Sequence, residues 1–170
     1  NWISYKYGFG TYLHRIEGYY SKATREQAED ELLRINKIIR KTGSHVYLDT
    51  IISPSYTSAI AQSIQIPGIA GMENNMVIFE FDKDKPGNLE HIVDNFALVN
   101  AGNFDVLILA TSKRNVNYKN GIHIWISSSD SSNANLMILL GFIILGHPDW
   151  KKTDIRIFDV CPPDLEAESR

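Results

Sequence analysis

Glycines beside turns are the first candidates for chemistry in this sequence, because glycine lets backbone N–H groups approach a phosphate. Gly8 and Gly10 would need a small residue at position 13 to complete a dinucleotide-binding fingerprint, but Leu13 stands there. Gly68 and Gly71 precede a strand-like run, whereas a nucleotide-binding loop follows a strand. We therefore interpret Gly68 and Gly71 as part of a helix-to-strand turn.

The histidines show no ligand spacing, since none pairs with another histidine or a cysteine: His14, His45, His91, His123 and His147. We expect His45 and His123 to be packed or hydrogen-bonded inside strands. The chain therefore indicates no metal site.

Nucleophilic side chains are equally uninformative. The serine run 127–132 lacks a Gly-x-Ser-x-Gly elbow, so Ser131 or Ser132 is expected to cap a helix. Cys161 has no basic neighbour in sequence to activate it and is expected to be a structural thiol. We predict no catalytic residue and no cofactor, and we expect that the chain is not an enzyme.

Composition narrows the class of protein. The 170 residues are 44% hydrophobic and 22% charged, which is ordinary for a soluble domain. The net charge of −3 offers no basic surface for nucleic acid. The longest apolar run, 135–146, falls short of the roughly 20 residues that span a bilayer, so we expect it to form a buried helix.

Hydrophobic periodicity predicts alternating strands and helices. The clearest helix covers 24–41, with Thr24 and Gln27 as a capping box and an apolar face at Ala28, Leu32, Ile35 and Ile39. Further helices are predicted over 56–66, 88–100 and 134–145, with the last turns of another at 1–8. Strands are predicted over 11–17, 45–52, 76–81, 104–110, 122–127 and 153–160.

This alternation predicts an α/β fold with a mainly parallel sheet flanked by helices, apparently truncated at both ends. We interpret 43–81 as one strand–helix–strand unit, and 104–110 as a strand covered on both faces. Residues 1–116 would form a first lobe that lacks its first strand. Residues 117–170 would continue it or start a second lobe.

Parallel sheets bind ligands beyond the carboxyl ends of their strands. The residues at these ends are the ligand candidates that the sequence offers: Gly18, Tyr19, Ser53, Ser55, Phe81 and Asp82. A nucleotide is a class of ligand that such sheets bind at these ends.

Three stretches together resemble the cytosolic C-terminal domain of the cation-chloride cotransporters (the Na-K-Cl and K-Cl cotransporter family). They are IPGIAGMENNMVIFEF at 66–81, GIHIWIS at 121–127 and LMILLGFIILGHPDWKKTDIRIF at 136–158. The first resembles the family's GLGGM-x-x-N-x-V turn, with Ala70 in place of a glycine. The second resembles an IDVWW strand with His123 in place of Asp, and the third matches at Trp150, Lys151 and Arg156–Phe158.

The resemblance covers nearly the whole chain, although SSSDSSN at 127–133 departs from the Asp-Asp-Gly-Gly-like loop of animal members. The chain lacks their long phosphorylated insertions and in this respect is similar to a prokaryotic member. The resemblance implies a universal-stress-protein-like fold on the cytoplasmic side of the membrane, within a transporter polypeptide. It also implies a role in homodimer assembly and in the regulation of potassium, sodium and chloride symport. The alternative is a nucleotide-binding regulatory module of the same fold, for which the resemblance implies an adenine nucleotide as the ligand.

Overall fold

The computed structural model of the chain describes residues 2–6, 8–42, 46–68 and 73–160, with Thr42 described by its backbone alone. Strands and helices alternate along these residues. They are β1 (Thr11–Glu17), α1 (Lys22–Thr42), β2 (Tyr47–Ser53), α2 (Tyr56–Ser63), β3 (Met76–Asp82), α3 (Gly87–Asp94), α4 (Phe96–Ala101), β4 (Asp105–Thr111), β5 (Ile122–Ser127), α5 (Ala134–Leu145) and β6 (Ile155–Val160).

The predicted α/β class is confirmed. The described strands form three two-stranded sheets, β1–β2, β3–β4 and β5–β6, flanked by helices. Pairs β3–β4 and β5–β6 are parallel. Pair β1–β2 is parallel as well, because Tyr47 N–H donates to the Gly10 carbonyl at one end and Gly18 N–H donates to the Ser53 carbonyl at the other. The arrangement is consistent with a universal-stress-protein-like fold.

The chain separates into two compact units. The β1–β4 unit comprises Thr11–Thr42 and Leu48–Asn115, and the β5–β6 unit comprises Asn1–Gly10, Gly43–Tyr47 and Val116–Arg170. The division into a lobe over 1–116 and a further lobe over 117–170 stays a prediction.

Two sequence expectations are wrong. The strands of the expected strand–helix–strand unit, β2 and β3, do not lie in one sheet among the described residues: β2 pairs with β1, and β3 pairs with β4. Residues 2–6 form turns and bends where the end of a helix was expected. Gly43, Ala70, Gly71 and Met72 lie outside the described residues.

Helix α1 begins before the expected capping box. Ser21 Oγ accepts a hydrogen bond from Thr24 N–H at 3.2 Å, and Thr24 Oγ1 accepts one from Ser21 N–H at 2.9 Å. Ser21 is therefore the N-cap, and the reciprocal partner three residues later is a threonine instead of the expected Gln27. The predicted apolar face is confirmed, since its four residues are among the more buried positions of the helix.

Replacing Ser21 with alanine is expected to lower the free energy of unfolding by about 1 kcal/mol, because one N–H of the first turn of α1 loses its acceptor. The midpoint of urea denaturation, followed by far-UV circular dichroism, measures the change. Ser132→Ala is the control, because α5 begins after Asn133 without a side-chain cap, contrary to the sequence expectation. Equal losses from both variants would contradict the Ser21 cap.

The single helix expected over 88–100 is two helices, α3 and α4. In a continuous helix Asn95 N–H would donate to the His91 carbonyl, but the Asn95 side-chain amide takes that carbonyl at 2.7 Å. The backbone N–H of Asn95 donates instead to Ile92, at 3.3 Å. Around the break, Val93 and Phe96 are exposed and Asn95 is buried.

The core of the β1–β4 unit is built from α2, β3, α3 and α4. Ile60, Phe79, Ile92 and Val99 form one buried cluster, and Tyr56, Phe81 and Val106 pack against it. Strand β4 is not covered on both faces as expected, because Ile108 and Leu109 remain 41% and 44% exposed. A two-stranded sheet offers each strand too few neighbours for complete burial.

In the β5–β6 unit, α5 packs on one face of the sheet through Gly141. A Cβ at this position would lie 2.9 Å from Ile124 Cδ1, so glycine is needed for the close approach. The helix is not buried as expected, since Leu139 and Phe142 are 55% and 60% exposed. The described part of the chain contains no helix long and apolar enough to cross a membrane.

Candidate functional site

The carboxyl ends of β1 and β2 bring together three of the predicted ligand residues, Gly18, Ser53 and Ser55. Ser53 is completely buried. Its carbonyl accepts Gly18 N–H at 3.2 Å, and its hydroxyl donates to the Ser55 carbonyl at 3.2 Å. The same hydroxyl contacts the Ser58 hydroxyl. These contacts lock the turn from β2 into α2.

Ser55 is the N-cap of α2, because its Oγ accepts a hydrogen bond from Ser58 N–H at 3.1 Å. Ser58 was missed by the sequence interpretation, although a serine three residues after a Ser-Pro-Ser break is a recognisable capping pattern. We refer to Ser53, Ser55 and Ser58 as the serine joint.

Arg15 is a second residue that the sequence interpretation missed. Its guanidinium donates to the Ser53 carbonyl at 3.2 Å and to a Glu17 carboxylate oxygen at 3.3 Å. A basic residue inside a strand gave no sequence signal of this role. Arg15 places a positive charge beside the serine joint.

Tyr56, the first residue of α2, lies between this charge and the core. Burial raises the pKa of the Tyr56 phenol above its ordinary value, and the Arg15 guanidinium opposes the shift. Its ring packs 5.8 Å from the His91 ring and 6.4 Å from the Phe79 ring, measured between centroids. The phenol therefore stays neutral at physiological pH.

The other predicted ligand residues do not join the serine joint. Tyr19 is 80% exposed, and its carbonyl accepts the Thr24 hydroxyl at 2.9 Å. Phe81 packs against the core, while Asp82 accepts Asp84 N–H at 2.9 Å in the turn after β3. The six candidates therefore form two groups, one after β1 and β2 and one after β3.

An open groove of about 330 Å³ is lined by residues of α1, β2 and α2 and by Tyr20. Its lining is partly apolar (Ala28, Leu32, Ile51 and Ile52) and partly polar (Arg25, Glu29, Thr50 and Gln62). Arg25 and Glu29 form an exposed ion pair at 3.8 Å, so they satisfy each other.

An aromatic cluster in the β5–β6 unit packs around the buried Trp150. The rings of Trp2, Tyr118 and Trp150 pack edge to face, with centroids 5.0–6.1 Å apart. Trp2 Nε1 donates to Asp149 at 3.2 Å. Burial, the Asp149 charge and a hydrogen bond to it raise the pKa of Tyr118. The three rings pack against one another, as side chains do in a small core.

The histidines have separate surroundings. His147 is buried and its Nδ1 accepts Asp149 N–H at 3.2 Å. His123 is exposed, but its ring packs edge to face on the Phe158 ring with the centroids 5.2 Å apart, which agrees with the expectation that it is packed inside a strand. Strand alternation puts it on the uncovered face of β5. His45 and Cys161 lie outside the described residues.

The serine run closes on itself. The Ser127 hydroxyl and N–H donate to Asp130 at 2.6 Å and 2.9 Å, and these bonds lower the pKa of the Asp130 carboxyl. Ser127 is thus the capping residue of this turn, whereas the helix cap expected of Ser131 or Ser132 is not formed, since α5 begins after Asn133 without a side-chain cap. Among the described residues no three His, Cys, Asp or Glu side chains are grouped to hold a metal ion.

Neither the models of known protein families nor the curated proteins with which the chain was compared gave a match. The function is therefore inferred from the residues and the geometry.

Proposed function

We propose that this chain is a cytoplasmic regulatory and dimerisation domain of an electroneutral cation-chloride cotransporter, linked in one polypeptide to the transmembrane domain that moves the ions. The three stretches in register that resemble this family support the proposal. The α/β fold agrees with the one that the resemblance implies. Transport itself would belong to membrane helices outside these residues.

The observation that carries the proposal is a pair of exposed apolar patches on opposite sides of the β5–β6 unit. Leu139 and Phe142 lie three residues apart on α5, which covers the Ile124 face of the sheet, and therefore share one helix face. Trp125 is 57% exposed on the other sheet face, and its ring stacks on Phe158 at 4.4 Å. Exposed patches of large apolar side chains favour a protein-binding role over a small-molecule site.

Such a domain would act by energetic coupling. If two copies pair more tightly in one conformation of the transporter than in another, pairing shifts the equilibrium between those conformations. The effect needs no catalytic group.

Dimerisation gives the first test. The 170-residue chain is expected to show a concentration-dependent dimer in sedimentation velocity. The double variant Leu139→Glu, Phe142→Glu should remain monomeric, because dimerisation would bury two charges without partners. Leu33→Glu is the control, since Leu33 is an equally exposed apolar residue of the other unit. A strictly monomeric wild-type chain at millimolar concentration would refute the assembly role, and an unaffected double variant would exclude α5 as the interface.

The transporter assignment has its own test. The coding sequence upstream of these residues should encode about a dozen apolar segments of about 20 residues, each long enough to span a bilayer. In vesicles containing the whole protein, Leu139→Glu, Phe142→Glu should change chloride-dependent rubidium uptake, while Leu33→Glu should not. An upstream sequence without such segments would reject the proposal.

The alternative is a nucleotide-binding regulatory module, favoured by Arg15 and the N-terminus of α2 beside the carboxyl end of β2. We expect no nucleotide binding, because the polar groups of the serine joint and of Arg15 already form hydrogen bonds within the chain. A dissociation constant of about 0.1 mM would stabilise the fold by about 1.4 kcal/mol at 1 mM ATP and raise Tm by about 3–6 °C. Thermal denaturation with ATP, against sodium sulfate at equal ionic strength, decides: a shift of that size would favour the alternative.

A further inference from the structure

Strand β1 has one hydrogen-bonding edge without a partner among the described residues. In a parallel pair, alternate residues direct both N–H and C=O towards the neighbouring strand. The bonds of Gly10 and Gly18 to β2 assign residues 10, 12, 14, 16 and 18 to that ladder. Leu13 and Arg15 therefore direct their backbone N–H and C=O groups to the opposite edge.

Strand β3 has a matching free edge. Asp105 N–H donates to the Asn75 carbonyl and Lys83 N–H donates to the Thr111 carbonyl, so residues 75, 77, 79 and 81 face β4. Ile78 and Glu80 then direct their backbone groups away from β4. No ladder joins β1 to β3 in the described chain, and these groups have no backbone partner there.

Helix α2 contacts both of the strands that have a free edge. It contacts β1, and its residues Tyr56 and Ile60 pack against Phe79 of β3. Both strand pairs therefore contact the same helix, one through β1 and the other through β3.

We propose that a fifth, parallel strand binds between β1 and β3 and completes one continuous sheet of order β2–β1–added strand–β3–β4. Backbone groups at the centre of a sheet that is covered by a helix are normally paired, because an unpaired buried group costs free energy. The proposal does not depend on the transporter assignment.

The occupant is identified by its surroundings. Its side chains towards α2 would meet Tyr56, Ile60 and Phe79, and those on the opposite face would lie beside Ile78, which is 47% exposed. It should therefore be apolar on both faces, as central parallel strands are.

A segment of the same polypeptide, outside residues 1–170, is the occupant that fits. A second copy of this chain has no spare strand to offer from the connections before α3 and after β4, since 83–86 (KDKP) and 112–117 (SKRNVN) are short and polar. Insertion from the same polypeptide also avoids the cost of bringing two molecules together.

The added strand has a consequence for the ligand candidates. The connection from β1 leads to β2 and that from β3 leads to β4, in opposite directions across the sheet, so the strand order would reverse at the added strand. Its carboxyl end would then lie between Gly18 with Tyr19 on one side and Phe81 with Asp82 on the other. This explains why these residues form two separate groups in the chain alone.

Amide hydrogen exchange resolved at single residues tests the proposal. In the 170-residue chain, the free-edge amides of Leu13, Arg15 and Ile78 should exchange at least about tenfold faster than the ladder amides of His14, Val77 and Phe79. In the longer natural polypeptide, the first three should become as protected as the ladder amides. Nuclear Overhauser contacts from Leu13 and Ile78 should then reach residues outside 1–170.

Three results would overturn the inference. Slow exchange of Leu13 and Ile78 in the 170-residue chain at every concentration would show that their edges are already paired. Protection that increases with concentration of the 170-residue chain would identify a second copy as the occupant. Fast exchange in the longer polypeptide would show that no strand binds there.

Discussion

Replacing Phe79 with alanine is expected to lower the free energy of unfolding of the β1–β4 unit by about 3–5 kcal/mol. Phe79 is 6% exposed and contributes its ring to the cluster that joins α2, β3, α3 and α4. Removing the ring takes away apolar contact area and leaves a cavity between these four elements. The more this cavity collapses, the closer the loss of free energy lies to about 3 kcal/mol.

Urea denaturation followed by far-UV circular dichroism measures the loss, and Phe96→Ala is the matched control. Phe96 lies in the same unit but is 48% exposed, because the break at Asn95 turns it out of the core. Its replacement should cost less than about 1 kcal/mol. Equal effects of the two substitutions would mean that α4 packs through the face containing Phe96, as a continuous helix over 88–100 would require.

Gly121→Ala is expected to destabilise the β5–β6 unit by more than about 2 kcal/mol. Gly121 has φ +81° and ψ −179°, a region almost restricted to glycine, where another residue costs about 1–3 kcal/mol. An added Cβ would also lie 2.7 Å from the Asp154 carbonyl oxygen. That oxygen accepts Ile122 N–H at 2.9 Å, beside the start of the β5–β6 ladder, so it cannot move without loosening the pair.

Tryptophan fluorescence isolates this effect, because Trp2, Trp125 and Trp150 all belong to the β5–β6 unit. Gly10→Ala is the control within the same unit, since nothing lies within 4 Å of a Cβ at Gly10. We expect a lower midpoint of urea denaturation for Gly121→Ala and an unchanged one for Gly10→Ala. Coincident curves for Gly121→Ala and the wild-type chain would contradict the described turn.

The serine joint illustrates how a predicted ligand site can become a structural one. Gly18, Ser53 and Ser55 do meet at the carboxyl ends of two strands, where the sequence placed them. Their polar groups nevertheless bond to one another, to Arg15 and to Ser58. A ligand would have to displace these bonds, and this argues for the protein-binding role proposed above.

The sequence by itself determined the class of fold and the positions of most elements. Strands β1 and β5 and helix α5 have the predicted bounds, because period 2 and period 3.6 are properties of neighbouring residues. The face of α1 was equally predictable, since each of its buried residues follows the last by three or four positions.

Only the tertiary structure decided which strands pair, where the helix over 88–100 breaks and which apolar residues stay exposed. Pairing β1 with β2 and β3 with β4 depends on crossover connections whose direction leaves no local pattern. The break depends on one buried side chain, Asn95, that competes with its own backbone for the His91 carbonyl. Exposure of Leu139, Phe142 and Trp125 depends on what packs above them, and a hydrophobic residue looks the same in sequence whether a helix or a partner protein covers it.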